Sequence, residues 1–352
     1  MRKKKFGIAI VGGSGYGAGE LLRLLTNHPE IEAACVVSKS HAGKSVTSVH
    51  THLEGVTDLK FSESLTPNWD AGYAGAAVVC GVPTGHAANT ISELIKNGLA
   101  NGIKIIDLSG DLRLRDASLH QKHYAEVPYS AELRLSAVYG LPELVSADQI
   151  SKARVITNPG CLATAAILAL APLRGIKRIT SVSVDAKTGT SGAGREPQAA
   201  MHHPSRALDC TAYKVLEHRH EPEILQALGD EFYPRDSFMF VPHLLPVSRG
   251  CLISCYITCQ DDTSAAAAVK NYKSLYSTAK FVRLRDRPVR LVDIVGTNFC
   301  DLHVVARGKQ LVVTSALDNL GKGMASQCIQ NLNIIFGLTQ ETGLMAPALG
   351  PV

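Results

Sequence analysis

The chain lacks the features that would point to nucleic acid, lipid or metal. Aromatic residues are only 5% of its 352 residues, and its formal charge of +5 is modest. Nucleic-acid binding asks for clustered basic residues interleaved with aromatics, and no such stretch is present. No apolar run reaches membrane-spanning length, and the basic run Arg2-Lys3-Lys4-Lys5 leads into a short strand and a glycine turn, unlike a signal peptide. The nine cysteines form no CxxC pair and no His/Cys spacing of a zinc site, so no metal is expected. With no sign of export, reduced thiols in a cytoplasmic setting are the simplest reading. Internal repeats and low-complexity segments are missing too. Arg2 to Lys5 read as a solvated tail, and Ala346 to Val352 as a loose one. What remains is an ordinary globular composition, 45% hydrophobic and 19% charged, in a chain long enough for two cores.

The first half reads as a nucleotide-binding domain. Phe6 to Val11 is a short apolar run suited to a strand buried on both faces. Gly12-Gly13-Ser14-Gly15-Tyr16-Gly17-Ala18-Gly19 follows at once and passes into the amphipathic run Glu20 to Leu25. Strand, glycine turn and helix in that order is the context in which a turn cradles a phosphate. Gly12 and Gly15 suit a tight turn and the close approach of a pyrophosphate, and Ala18 suits helix–strand packing.

A second strand, Ala33 to Val37, ends in Ser38-Lys39-Ser40. A free ribose 2′-hydroxyl usually meets an acidic residue there, and none is present. A lysine between two hydroxyls suits a 2′-phosphate, so the expected cofactor is NADP(H). Two further strands, Ala76 to Cys80 and Lys104 to Leu108, run into loops carrying Gly81, Pro83 and Ser109 to Arg113. Ligands gather at the carboxyl ends of such strands, which makes Arg113 a candidate grip for an anionic substrate; an ordinary salt bridge is its rival.

The second half changes period. Ser181 to Asp185 and parts of 251–259, 299–307 and 311–317 alternate, which predicts a mostly antiparallel sheet with one apolar face. Residues 322–336 read as a helix with Met324, Cys328, Leu332 and Ile335 or Phe336 on one packing stripe. Of the nine cysteines, Cys161 stands out. It follows the turn Asn158-Pro159-Gly160 and opens the helix-forming run Leu162 to Leu170. A thiol at a helix N-terminus sees unpaired N–H groups and the positive end of the dipole, which favour the thiolate. Thr188 to Arg195 offers backbone N–H groups, hydroxyls and a guanidinium to an anion. His218 and His220 flank Arg219 at a probable helix start, and His243 lies in a Pro-bounded loop before Arg249-Gly250.

These motifs occur in one order along essentially the whole chain: Gly12 to Tyr16, Asp107 to Arg113, Val138 to Glu143, Asn158 to Cys161, Ser191 to Arg195, Tyr213-Lys214 with His218-Arg219-His220, and Pro242-His243-Leu244. Together they resemble the N-acetyl-gamma-glutamyl-phosphate reductases of arginine biosynthesis, a family related to the aspartate-semialdehyde dehydrogenases. The resemblance implies an α/β fold: a Rossmann-type doubly wound parallel sheet plus an α+β catalytic domain, as in semialdehyde and glyceraldehyde-3-phosphate dehydrogenases. The expected NADP domain is 1–157 completed by a helix within about 320–352, around a catalytic and oligomerisation domain at 158–319.

The resemblance also implies roles. An acyl phosphate is reduced to an aldehyde through a thioester on Cys161. His220 is the favoured acid/base, His218 its substitute, and either could touch substrate. Gly12, Ser14, Gly15, Tyr16, Ser38, Lys39, Gly81, Pro83, Ser109 and Asn319 would face the cofactor. Arg113, Asn158, Ser191, Gly192, Arg195, His218 and His243 would face the substrate. The protein is expected to be a homo-oligomer, a dimer or tetramer. One departure bears on the substrate: Met201-His202-His203-Pro204-Ser205-Arg206 is a basic stretch unlike the usual one. It is more similar to relatives that reduce an aminoadipyl or glutamyl phosphate held on an acidic carrier protein, which stays as the alternative.

Overall fold

The computed structural model describes residues 4–66, 68–97, 99, 102–124 and 131–349. The start of the expected N-terminal tail, Arg2 and Lys3, and the last residues of the expected C-terminal tail lie outside them. The chain forms two compact units, one of residues 1–159 with 324–345 and the other of 160–323 with 346–352.

In unit 1 the strands are β1 (Phe6–Val11), β2 (Ile31–Val37), β3 (Phe61–Ser62), β4 (Ala76–Cys80), β5 (Lys104–Asp107), β6 (Val138–Tyr139) and β7 (Val155–Thr157). They form one sheet in the order β3-β2-β1-β4-β5-β7-β6, with every pairing parallel. Ile8, Ala9, Ile10, Val78, Val79, Ile105 and Ile106 are wholly buried, because both faces of the sheet are covered. The helices that join the strands are α1 (Tyr16–Thr26), α2 (Ala87–Lys96), α3 (Ala117–His123), α4 (Ala131–Ser136) and α5 (Ala147–Lys152). The order reverses direction between β1 and β4, the crevice where ligands of doubly wound sheets bind.

Unit 2 starts with α6 (Cys161–Leu170), followed by β8 (Ile179–Thr188), α7 (His203–Arg206), β9 (Thr211–Ala212), α8 (His220–Leu228), β10 (Phe238–Leu244), β11 (Cys251–Cys259), α9 (Asp262–Leu275), β12 (Val282–Arg285), β13 (Cys300–Arg307) and β14 (Gln310–Leu317). Its sheet runs β12-β13-β14-β11-β8-β10-β9. Four of its pairings are antiparallel and two, β8 with β10 and β12 with β13, are parallel. The sheet is thus mostly antiparallel, as the alternation predicts, with two parallel pairs that make it mixed. Val182, Val184 and Ala186 of β8 and Ile253, Cys255 and Ile257 of β11 point to the buried face, on which α6 packs. Every residue of α6 from Leu162 to Leu170 is buried, the pattern of a helix enclosed on all sides.

Unit 1 is completed late in the chain. A single π-helical turn at Gly321–Ala325 precedes α10 (Ser326–Ile335). Here the structure corrects the one-stripe reading, since α10 is buried from Ser326 to Ile334 and its polar residues are buried with the rest. Gln327 Nε2 and Asn331 Nδ2 donate to the carbonyl of Gly140 at 3.1 and 2.9 Å, and Asn333 Nδ2 donates to the carbonyl of Thr342 at 2.9 Å. Amides can be buried all round a helix when each finds a carbonyl. The segment after α10 also differs from the loose tail expected of it, because the N–H of Leu349 donates to the carbonyl of Val295 at 3.1 Å.

Candidate active site and cofactor turn

In unit 1 the glycine turn is shaped by contacts that exclude side chains. Gly12 has φ of 88°, and a Cβ there would lie 2.6 Å from the backbone of Gly81. A Cβ on Gly13 would strike Val36, and one on Gly17 would lie 2.3 Å from the sulfur of Met324. Gly15 is different. Its φ is an ordinary −74°, and a Cβ would meet nothing nearer than the carbonyl oxygen of Gly12 at 3.9 Å. Gly15 caps α1 with no side-chain hydrogen bond, so the helix start beside Ser14 and Tyr16 is an open, positively polarised cradle. The residues fit a pyrophosphate.

At the end of β2, Ser38 is buried and Lys39 is exposed. Nδ1 of His41 lies 3.3 Å from the hydroxyl of Ser38 and 2.9 Å from that of Ser40. This adds an imidazole to the lysine and hydroxyls expected at the 2′-position. Lone histidines carry no signal in sequence, and His41 escaped notice for that reason. Gly81 is half-buried beside the turn, and Pro83 is exposed after β4.

The segment Asp107 to Arg113 is mainly internal architecture. Asp111 accepts hydrogen bonds from the N–H groups of Gly85, Ala87 and Ala88 at 2.8, 2.9 and 3.2 Å, capping α2. The hydroxyl of Ser109 accepts from the N–H of Asp111 at 3.0 Å. Burial raises the Asp107 carboxyl to about 6, against the N–H of Ser109 and the charge of Arg113, which favour its ionised form. Arg113 is itself buried, and donates from Nε to the carbonyl of Asn158 at 2.9 Å and from Nη2 to that of Leu108 at 3.1 Å. Asn158 is 1% exposed. Its Nδ2 donates to the carbonyl of Met324 at 3.1 Å, and its Oδ1 accepts from Asn331 at 3.3 Å. Arg113 and Asn158 thus tie the strand ends and α10 of unit 1 together.

In unit 2 the chemistry gathers where two helices begin. Cys161 is the first residue of α6 and is partly exposed, with Gly160 as an N-cap that offers no side chain. A carboxylate from another helix takes the place of that cap: Oε1 of the wholly buried Glu223 accepts from the N–H of Gly160 at 2.8 Å. Glu223 lies in the first turn of α8, and His220 is that helix's first residue. The hydrogen bond therefore fastens the start of α8, with His220, to the start of α6, with Cys161. Glu223 was missed in sequence, where only its spacing of one turn from His220 hinted at it.

His218 and His220 are 7% and 6% exposed. Their rings cross edge to face with centroids 4.6 Å apart, and Nδ1 of His218 accepts from the N–H of His220 at 3.1 Å. The ring of Tyr213 stands 5.4 Å from that of His218. Burial, with Cys161 and Cys251 nearby, holds the Tyr213 phenol well above its ordinary value, so it stays protonated. Lys214 and Leu216, between Tyr213 and the histidines, have φ of 45° and 58°. Left-handed conformations at such residues are strained and persist where the surroundings impose them, often beside functional groups. Gly323 gives the thiol its space, because a Cβ there would lie 2.6 Å from the Cβ of Cys161.

The loop with Ser191, Gly192 and Arg195 leaves β8. The N–H groups of Thr190 and Ser191 donate to the carbonyls of Val247 and Ser248 at 2.8 and 3.1 Å. Asn319 joins this loop to the next: Nδ2 donates to the hydroxyl of Ser191 at 2.9 Å, and Oδ1 accepts from the N–H of Gly250 at 2.7 Å. Asn319 thus fastens two loops of unit 2. Gly192 and Arg195 are exposed and Ser191 half-buried, so the anion loop itself stays open. His243 is placed elsewhere. Its neighbours Pro242 and Leu244 point to the buried face of the sheet, so His243 lies on the face away from α6. There its Nδ1 is 3.1 Å from Oδ1 of Asp185, an ion-pair contact without hydrogen-bond alignment, and Lys187 holds the other oxygen.

Among the described residues no cluster of three or more His, Cys, Asp or Glu side chains forms a metal site, and no helix is long and apolar enough to cross a membrane.

Comparison with known proteins agrees with both halves. Residues 7–153 match the family model described as the NAD binding domain of semialdehyde dehydrogenase, and residues 161–319 match its dimerisation domain. The N-acetyl-gamma-glutamyl-phosphate reductase of Methanothrix thermoacetophila is 41% identical over 98% of this chain and 99% of its own length. That of Methanocaldococcus jannaschii is 38% identical over the same shares. Among solved structures, the aspartate semialdehyde dehydrogenase with NADP from Candida albicans superposes with a TM-score of 0.64 at 13% identity, covering 94% of this chain and 99% of that one. A probable aspartate-semialdehyde dehydrogenase from Pseudomonas aeruginosa also gives 0.64, at 18% identity, covering 95% and 99%. At such identities the structures establish the fold, and the curated relatives establish the family. The chain belongs to the N-acetyl-gamma-glutamyl-phosphate reductases, within the semialdehyde dehydrogenase fold.

Proposed function

We propose that the chain catalyses the NADPH-dependent reduction of N-acetyl-L-glutamyl 5-phosphate to N-acetyl-L-glutamate 5-semialdehyde and phosphate, a step of arginine biosynthesis. The observation that carries this reading is Cys161 at the first position of α6, fastened through Glu223 to the helix start that bears His220. The dipole and unpaired N–H groups of α6 favour the Cys161 thiolate. The thiolate adds to the acyl carbon, the bond to phosphate breaks, and a thioester remains on Cys161. The Gly12–Tyr16 turn, with Ser38, Lys39 and His41, would hold NADPH, whose chemistry when bound would be to supply the hydride. His220 gives a proton to the oxygen of the hemithioacetal on Cys161 and takes it back as the aldehyde leaves. His218 orients His220 by accepting its backbone N–H. Ser191 and Arg195, on the open loop after β8, meet the anionic groups of the substrate.

The alternative, an acyl group on an acidic carrier, drew on residues 201–206. Arg206 is 8% exposed and donates to the carbonyls of Ala200 and Asp209, so this stretch presents two imidazoles more than a basic face. That favours the free acetylated substrate. The partner we assign is a second copy of the chain. Met239, Ser183, Tyr256, Val312 and Val305 are successive cross-strand neighbours on the outer face of the unit 2 sheet. Met239, Tyr256 and Val305 are 47%, 50% and 49% exposed, an apolar row suited to sheet-on-sheet packing. All nine cysteines are free thiols, which suits a reducing cytoplasm.

The decisive experiment is the reverse reaction: NADP reduction with N-acetyl-glutamate semialdehyde and phosphate, beside carrier-bound aminoadipate semialdehyde, with Cys161→Ser as control. Turnover of the free aldehyde that the substitution abolishes supports the proposal. Turnover on the carrier-bound aldehyde alone rejects the substrate, and full activity of Cys161→Ser rejects the nucleophile.

A further inference from the structure

Of the other eight cysteines, one stands beside the nucleophile. Cys251 opens β11 directly after Gly250, wholly buried on the sheet face against which α6 packs. The sheet brings it to the nucleophile: Cys251 pairs with Leu317, the carbonyl of the next residue, Asp318, accepts the N–H of Gly323 at 2.9 Å, and Gly323 abuts the Cβ of Cys161, whose side chain acts on the Cys251 thiol. On its other side the hydroxyl of Thr188, its partner across β8, lies 3.5 Å from the sulfur. The Tyr213 phenol borders both sulfurs. Acyl transfer requires one thiol, not two. A cysteine can serve as a small hydrophobe, and Cys255, four residues along the same face of β11, is equally buried in that way. Cys251 alone has the nucleophilic sulfur as its neighbour.

We propose that Cys251 is a resolving thiol for Cys161, making the active site a reversible disulfide site. A peroxide oxidises the Cys161 thiolate to a sulfenic acid: the sulfur gains one oxygen, and the peroxide is reduced to water or an alcohol. The sulfur of Cys251 then attacks that of Cys161. The S–O bond breaks, the hydroxyl leaves, and the Cys251 proton goes with it as water. A disulfide between α6 and β11 results, and a thiol reductant returns both residues.

Direct contact matters to the outcome. Burial and the neighbouring Cys161 hold the Cys251 thiol well above its ordinary value, so it rests protonated. Conversion of Cys161 to a neutral sulfenic acid removes the charge part of that effect. The disulfide then forms as the two neighbouring sulfurs close to a bond of about 2 Å. Without a resolving thiol, the sulfenic acid goes on to the sulfinic state, which thiols do not reverse. This inference rests on the reading of Cys161 as an ionised nucleophile.

The test is peptide mass mapping of the full chain after graded hydrogen peroxide, followed in parallel by activity before and after dithiothreitol. The wild-type protein is expected to yield a Cys161–Cys251 linked peptide and to regain most of its activity on reduction. Cys251→Ala and Cys251→Ser should instead accumulate Cys161 sulfinic acid and stay inactive. The two variants guard against one that folds poorly, and the wild-type map is decisive alone. Sulfinic acid at Cys161 of the wild type with no linked peptide, forming as fast as in the variants, would overturn the proposal. A linked peptide in a protein that keeps full activity would leave the pairing standing and reject Cys161 as the nucleophile.

Discussion

The buried carboxylate of Glu223 and the backbone N–H of Gly160 are joined by a 2.8 Å hydrogen bond, and it fixes where the nucleophile's helix begins relative to the histidines. Glu223→Ala removes an acceptor from a buried N–H, which costs about 1–3 kcal/mol. It also frees the start of α8. Thermal unfolding should register the loss, and kcat should fall more than KM rises. Glu223→Gln keeps an acceptor oxygen and should recover most of the stability. Equal stability of all three proteins would remove Glu223 from this role.

The two histidines should separate in kinetics. His220→Gln removes the proton donor and should lower kcat by about 10²–10⁴-fold, with loss of the corresponding limb of the kcat–pH profile. His218→Gln alters only the support of His220 and should act more weakly while leaving the shape of the profile. A larger effect at His218 would exchange the roles.

Cofactor choice should follow Lys39. Lys39→Glu replaces an attractive charge by a repulsive one at the 2′-position, and a charge-assisted contact is worth about 1.5–3 kcal/mol. The ratio of kcat/KM for NADPH over NADH should drop by about 10- to 100-fold. His41→Gln should move it less and in the same direction. An unchanged ratio in Lys39→Glu would place the 2′-phosphate elsewhere.

Asp107 makes a prediction about pH. Its carboxyl is raised to about 6 from 3.8, mainly by burial. The protonated form is thus favoured in the folded chain, so its stabilisation is complete below the unfolded value and is lost as pH rises through 6. Asp107→Asn keeps an acceptor for the Ser109 N–H and removes the buried ionisation. Denaturant titrations should show the variant gaining stability relative to wild type between acid and neutral pH, by on the order of 2 kcal/mol. A difference independent of pH would show that Asp107 titrates as an ordinary carboxylate.

The outer row of the unit 2 sheet can be tested by charge. Tyr256→Asp with Val305→Asp places carboxylates in an apolar contact, where burial without partners is costly. Light scattering after size exclusion should find monomers where the wild type gives the proposed dimer. A dimer that persists would move the interface to another surface.

The sequence announced its chemistry where a local rule sufficed. The glycine turn was legible because strand, turn and helix adjoin, and Cys161 because a run of helix formers follows a Pro-Gly turn. Bonds between residues far apart in the chain leave no local signal. Arg113 reaches the carbonyl of Asn158, and Asn158 reaches Met324, 166 residues on. From sequence both look like polar groups awaiting a ligand. His243 was assigned to a loop, but it lies in β10, and strand alternation turns it to the face away from Cys161. The stripe on α10 failed for another reason: periodicity distinguishes covered from wet faces, and α10 has no wet face.

That enclosed helix has a consequence for how the protein is made. Most of unit 2 separates α10 from β7 in the chain, yet Asn331 of α10 completes the carbonyl of Gly140 and the side chain of Asn158. During synthesis, β1 to β7 emerge first and must wait with those groups unsatisfied, while the sheet of unit 2 can close around α6 as soon as β14 has left the ribosome. The domain translated first thus waits for the sheet of the second, and nascent chains halted before α10 should hold a folded unit 2 sheet and an open, protease-sensitive unit 1.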